Sequence, residues 1–273
     1  MKKLLLGGLA FIAFALGSPA LAADLPADPL YKSSPLIVPV YDWTGFYVGV
    51  DGGWSFGKSS TDFTVTGFAP ESISPHMNNW VVGGEAGYNW QFSRNFVAGI
   101  EADLQATGEE GTGIAPTLIT PGCIPGILCT TTNVGIDQRL RWFGTARARL
   151  GFLPFDHLLL YATGGAAFGE IESTTSVTTN TSSILPFLAS SNVATETATT
   201  TRAGWTAGGG AEWVLSGGWT AKLEYLYVDL GNVGYTLVNT VTATTVGTSS
   251  HFTDNIVRVG INYRFGGPVV ASY

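Results

Sequence analysis

The sequence holds no apolar run long enough to cross a membrane as a helix. The longest, Leu4 to Leu16, falls short of the roughly 20 residues a spanning helix needs, so any insertion must use strands. Two cysteines in 273 residues are too few for a disulfide scaffold, and with no histidine near them in sequence they supply too few ligands for a metal site. Charged residues make up only 12%, and 13 Lys and Arg against 20 Asp and Glu leave a net charge of -7, which argues against nucleic-acid partners. What is plentiful is glycine, 36 residues, together with 12% aromatics, a composition suited to strands that alternate small residues with rings.

The first 22 residues have a basic start (Lys2, Lys3), the apolar run, a breaking Gly17-Ser18-Pro19, and small residues at Ala20 and Ala22. This is the layout of a secretory signal peptide cleaved after Ala22. Losing Lys2 and Lys3 takes the formal charge from -7 to -9, so the exported chain is more acidic still. Residues 23–42, with Pro26, Pro29, Pro35 and Pro39, show no period and are expected as a flexible periplasmic lead-in. Cys123 and Cys129 close a short loop and are expected to pair in an oxidising compartment.

From residue 43 onward, alternation of apolar and polar residues restarts about eight times and ends in Asn255 to Phe265. There Val257, Val259, Ile261, Tyr263 and Phe265 share one face while Arg258, Asn262 and Arg264 share the other. Strands are expected over about 44–57, 79–92, 96–106, 138–153, 157–171 and 202–215, then from Trp219 and finally up to Phe265. Tight turns are expected near 94, 155 and 217, and long loops over about 58–78, 107–137, 172–201 and 229–253. Strict alternation of short and long connections is the pattern of an outer-membrane barrel with both termini in the periplasm.

The rings sort to strand ends. Trp90, Phe92, Phe96, Phe152, Trp213, Trp219 and Phe265 fall near the short turns, and Phe56, Trp80, Trp142, Trp205 and Tyr227 near the long loops. Two aromatic girdles fit a membrane barrel, whereas a soluble sandwich would centre its rings in the core. The other face then points inward. It carries Asp51, Glu85, Glu101, Asp103, Glu212 and Glu224 against Arg139, Arg141, Arg147, Arg149, Arg202, Lys222, Arg258 and Arg264. An eight-stranded barrel is just wide enough to be filled by its own side chains, so these charges are expected to pair as a plug rather than line an open path.

The long loops, taken as 59–77, 107–136, 172–200 and 231–252, contain no Lys or Arg and hold Asp62, Glu71, Glu109, Glu110, Glu172 and Glu196 amid Thr and Ser. They offer no cationic cluster for lipopolysaccharide phosphates. His76-Met77 and His251 are candidate haem ligands, and Ser249, Ser250, His251 and Asp254 a candidate hydrolase set. Alternate residues of one strand point apart, which works against the second, and neither a metal nor a cofactor is expected.

Three segments carry a family likeness: Trp43-Thr44-Gly45-Phe46-Tyr47-Val48-Gly49, Tyr161-Ala162-Thr163-Gly164-Gly165-Ala166-Ala167-Phe168-Gly169, and Val257 to Phe265. With these the chain resembles the small outer-membrane beta-barrel family common in alphaproteobacteria, of porin-like or opacity type, and more distantly the transmembrane domain of OmpA-like proteins. The resemblance implies an all-β, eight-stranded antiparallel up-and-down transmembrane barrel over residues 43–265, with a short periplasmic tail, 266–273. Members are described as structural proteins, porin-like proteins, surface antigens and, in some relatives, haem binders. Such barrels often end on the aromatic residue used for assembly, which leaves Phe265 and Tyr273 both as candidate signals here. The expected function is a non-enzymatic envelope-integrity and surface-exposed role, with a small porin-like channel as the alternative. The expected partners are outer-membrane lipid and lipopolysaccharide, the outer-membrane assembly machinery and periplasmic chaperones.

Overall fold

A computed structural model describes residues 41–266 apart from 66, 121 and 240–243. The expected leader with Ala20 and Ala22, the expected lead-in up to residue 40, and the expected tail from 267 with Tyr273 lie outside the described residues. The strands are β1 (Gly45–Val65), β2 (Glu71–Ile73), β3 (His76–Ser93), β4 (Phe96–Thr107), β5 (Glu110–Ile114), β6 (Leu118–Ile119), β7 (Leu128–Phe155), β8 (Leu158–Ser183), β9 (Ser190–Ser216), β10 (Trp219–Asn239) and β11 (Thr244–Phe265). Eight of them, β1-β3-β4-β7-β8-β9-β10-β11, form an antiparallel ring, closed by β11 pairing back onto β1 from Phe46↔Phe265 to Val65↔Val246. Closure leaves no free edge in the ring itself, the condition for crossing lipid with strands.

Three connections at one end are tight: Ser93 to Phe96, Phe155 to Leu158, and Ser216 to Trp219. The last is possible because Gly217 and Gly218 take φ of 58° and 92°, a left-handed region that side chains disfavour. Polarity is inverted relative to a soluble protein. Val50, Ile100, Leu104, Leu150 and Val259 are exposed on the outer wall, while Asp51, Glu101, Arg147, Glu224 and Arg258 are buried inside. The period of two produces this, since each strand sends alternate side chains to opposite faces. The least decided strand, β8, turns Leu159, Tyr161, Thr163 and Ala167 inward and Leu160 and Phe168 outward.

Most of the segments expected as long loops are strand. β8 alone runs 26 residues, roughly 80 Å at 3.3 Å per residue, far beyond the 9–11 that cross a bilayer. Past the long-loop girdle the ring opens along two seams. β9 and β10 pair only up to Trp205↔Asp229, and β3 and β4 only up to Val81↔Thr107, although all four neighbouring segments continue. One sheet, β2-β1-β11-β10, then faces another, β5/β6-β7-β8-β9. Between them Phe63, Val65 and Val246 pack on Ala115, Val134, Ile136 and Val177. These extensions escape pattern reading because Thr and Ser occupy both faces, so no contrast marks the period, although β-branched threonine suits a strand.

Candidate functional site

The interior is the site where this fold concentrates chemistry, and it is filled in layers. At the short-turn mouth Trp43, Val97, Leu153, Leu159 and Tyr161 form an apolar floor. The Trp43 indole donates to the Asp156 carbonyl at 3.2 Å. Arg264 belongs to this floor, not to the charge network. It donates to the Tyr41 hydroxyl and the Thr44 carbonyl at 3.1 Å each, with its guanidinium over the Tyr41 ring.

Above the floor lies the buried charge network. Arg147 reaches Glu101, Asp103 at 2.7 Å and Glu224 at 3.0 Å. Arg149 reaches Glu212 at 2.9 Å and Glu101 at 3.4 Å, donates to the Tyr47 hydroxyl at 2.8 Å, and stacks on Tyr161 at 4.0 Å. Arg258 holds Glu224 at 2.5 Å, Asp103 at 3.1 Å and Asp51 at 3.4 Å, while Lys222 bridges Glu85 and Glu224. Hydroxyls add further donors: Tyr47 donates to Glu101 at 2.5 Å, Thr145 to Asp103 at 2.7 Å and Thr220 to Glu212 at 2.6 Å. Glycines make the room. Tyr161 lies over Gly210, where a Cβ would stand 2.7 Å from its hydroxyl oxygen, and Tyr47 lies over Gly87 in the same way. The carboxylates of Glu85, Glu101 and Glu224 converge, but Lys222 and Arg147 reach in among them, the chemistry of an ion-pair cluster rather than a cation cradle.

Sequence parity placed the six acids here together with Arg147, Arg149, Lys222 and Arg258. It missed Tyr47 and Tyr161, although Tyr47 shares the parity of Asp51. Two further expectations are corrected. Arg139 and Arg141 do not enter the lumen, because the β7–β8 register shifts between Leu140 and Trp142. The extra residue inverts inside and outside, so Leu140 and Phe143 are both buried while Arg139 and Arg141 stand on the outer wall, more than half exposed. There Arg139 meets Glu110 at 3.0 Å and Arg141 meets Glu172 at 2.8 Å. Arg202 keeps inward parity but is only half-buried, above the network. Six acids therefore face four cations in the network, instead of eight.

Directly above the charges sits a second apolar layer: Met77, Val81, Leu140, Phe143, Ala167, Ile171, Leu226, Val228, Leu230, Phe252 and Ile256. Higher again are small polar contacts, Thr61 with Ser250 at 2.8 Å and Gln138 to Ser250 at 2.9 Å. Glu109, in the link between β4 and β5 beyond the Trp80–Trp142 level, is fully buried against Asp254, which accepts from Ser55 at 2.5 Å. Burial first, and then the Asp254 charge, push the Glu109 carboxyl well above the ordinary range.

The remaining candidates do not assemble. His76 is exposed and Met77 buried, on opposite sides of the wall, and His251 is exposed, 2.9 Å from Asn232. Ser250 and Asp254 point inward while Ser249 and His251 point out, so the four candidate hydrolase residues do not come together. Cys123 and Cys129 are disulfide-bonded. The girdle residues stand on the outer wall. Phe92, Phe96 and Phe152 follow one another at 6.3 and 5.6 Å between ring centroids, and Trp219, Tyr263 and Phe265 at 5.0 and 5.1 Å. At the other end Trp205 meets Tyr227 at 5.3 Å, and Phe56 and Trp80 are exposed.

An apolar outer wall between aromatic girdles, around an ion-paired lumen in a closed eight-stranded ring, defines a transmembrane β-barrel of the Gram-negative outer membrane. The family model for the outer membrane protein beta-barrel domain matches residues 10–265, and the chain belongs to that family. It is 33% identical over 264 residues to the 31 kDa outer-membrane immunogenic protein of Brucella melitensis, covering 94% of this chain and 98% of that one. It is 26% identical over 230 residues to the 22 kDa outer membrane protein of Rhizobium leguminosarum, covering 84% and 81%. Among solved structures, Neisserial surface protein A is similar at a TM-score of 0.33 and 12% identity, covering 81% of this chain and 98% of that one.

Proposed function

We propose that this protein is a non-conducting, non-enzymatic barrel whose role is envelope integrity and presentation of a surface structure, with its short turns and both termini in the periplasm. The observation that carries the reading is the apolar layer of Met77, Leu140, Phe143, Leu226, Phe252 and Ile256 lying directly over the ion-pair network. A solute path would have to cross both, stripping water from the solute and breaking buried ion pairs at several kcal/mol each. The two-sheet extension beyond the girdle would be the part presented outside. On this reading the lasting partners are outer-membrane lipid and lipopolysaccharide, and the transient ones are periplasmic chaperones and the assembly machinery.

Planar-bilayer recording on refolded protein, with folding checked by its heat-dependent gel shift, tests this. The expected result is a heat-modifiable protein that gives no steps. Reproducible ion-selective steps would overturn the reading in favour of a small porin.

A further inference from the structure

The bulge that removes Arg139 and Arg141 from the lumen also fixes where they go. Arg141 precedes the girdle residue Trp142, and Arg139 lies one strand repeat further from the membrane belt. Aromatic girdles mark the boundary between hydrocarbon and headgroups, so both guanidiniums stand at headgroup height on the outer wall. Two concavities flank them. One of about 640 Å³ is lined by Glu110, Thr112, Asp137, Arg139, Glu172 and Thr174, and one of about 270 Å³ by Glu110, Arg139 and Arg141 with the Thr107–Glu109 link. Arginine offers a planar fork of donors matched to phosphate oxygens. Its present partners leave it open: Arg139–Glu110 is exposed on both sides and weak, and Arg141, though it meets a largely buried Glu172, is itself more than half exposed, so a phosphate can compete for both guanidiniums. The segments expected as loops carry no cation, and it is the bulge that brings this pair to the outer wall.

We propose that Arg139 and Arg141 form a headgroup-level clamp for a phosphate of the outer-leaflet lipopolysaccharide. Glu110, Asp137 and Glu172 surround the clamp, so a bare phosphate would meet three carboxylates. The ligand must therefore bring its own divalent counter-ion, which screens the phosphate from them. The lipid assignment rests on the long-loop end facing outward, as in the function proposed above.

The test is a titration of detergent-solubilised, folded protein with diphosphoryl lipid A, followed by native mass spectrometry. Parallel arms use phosphate-free lipid A and inorganic phosphate, each with magnesium or with a chelator. The expected result is saturable binding of diphosphoryl lipid A that needs magnesium and weakens at least tenfold in Arg139→Gln/Arg141→Gln. Arg94→Gln, at the opposite end, is expected to bind as the native protein does. Arg139→Lys/Arg141→Lys, which keeps the charge but loses the fork, is expected to fall between. Unchanged binding in the double Gln variant overturns the clamp, and equal competition by inorganic phosphate overturns the lipid assignment. Orientation is read separately, by labelling Thr195→Cys on intact cells with an impermeant maleimide. Failure to label there, with the detergent result intact, overturns the outward facing and leaves the clamp chemistry standing.

Discussion

Replacing Arg147 by alanine removes a side chain that touches Glu101, Asp103 and Glu224 together. The residue is 3% exposed, so the vacated place is cut off from bulk solvent. Lys222 and Arg258 still hold Glu224, and Arg258 still holds Asp103, but Glu101 keeps only Arg149, at 3.4 Å, and the Tyr47 hydroxyl. Breaking a buried pair by removing one partner costs about 3–5 kcal/mol, a large share of the roughly 5–15 kcal/mol that holds a domain folded. Arg139→Ala breaks an exposed pair with Glu110 and should cost less than about 1 kcal/mol. Urea titration in detergent, read by the heat-dependent gel shift and tryptophan fluorescence, separates the two cases. Removing the opposing charge as well, in Arg147→Met/Glu101→Gln, should recover more than half of the loss, because a buried pair replaced by neutral groups of similar size is often tolerated. If Arg147→Ala and Arg139→Ala shift the midpoint equally, the buried-network reasoning is wrong.

Glu109 supplies a pH dependence. Its folded pKa is raised, so the folded state holds the proton more tightly than the unfolded chain, and the stability it contributes is present in acid and lost as pH rises from the ordinary carboxyl range through the folded pKa. Glu109→Gln should flatten that decline and be more stable than the native protein at neutral pH, seen as a higher melting temperature. An unchanged profile would show that Glu109 keeps an ordinary pKa. The seams supply a dynamic prediction. Among the described residues β9 has no strand beside it above Trp205 on its β10 side, so every second amide over Val193–Ala203 points into the seam. Hydrogen exchange should be fast for those amides and slow over Trp205–Trp213, where both sides are paired. Uniform protection along β9 would mean the two sheets stay joined.

The sequence by itself determined what depends on neighbouring residues. A period of two decides which side of a wall each side chain faces. It therefore separated Val257, Val259 and Ile261 from Arg258 and Asn262, placed the girdles at strand ends, and located the three tight turns. Tertiary structure decided what depends on register. A single extra residue at Arg141 changes no local composition, yet it inverts every side chain beyond it, and only the pairing of β7 with β8 reveals it. Threonine-rich stretches with no contrast between faces become strands because neighbouring strands extend their ladders into them. The partners of each buried charge were likewise decided by closure of the ring, since Asp51 and Arg258 lie at opposite ends of the barrel sequence and meet at 3.4 Å only when β11 pairs with β1.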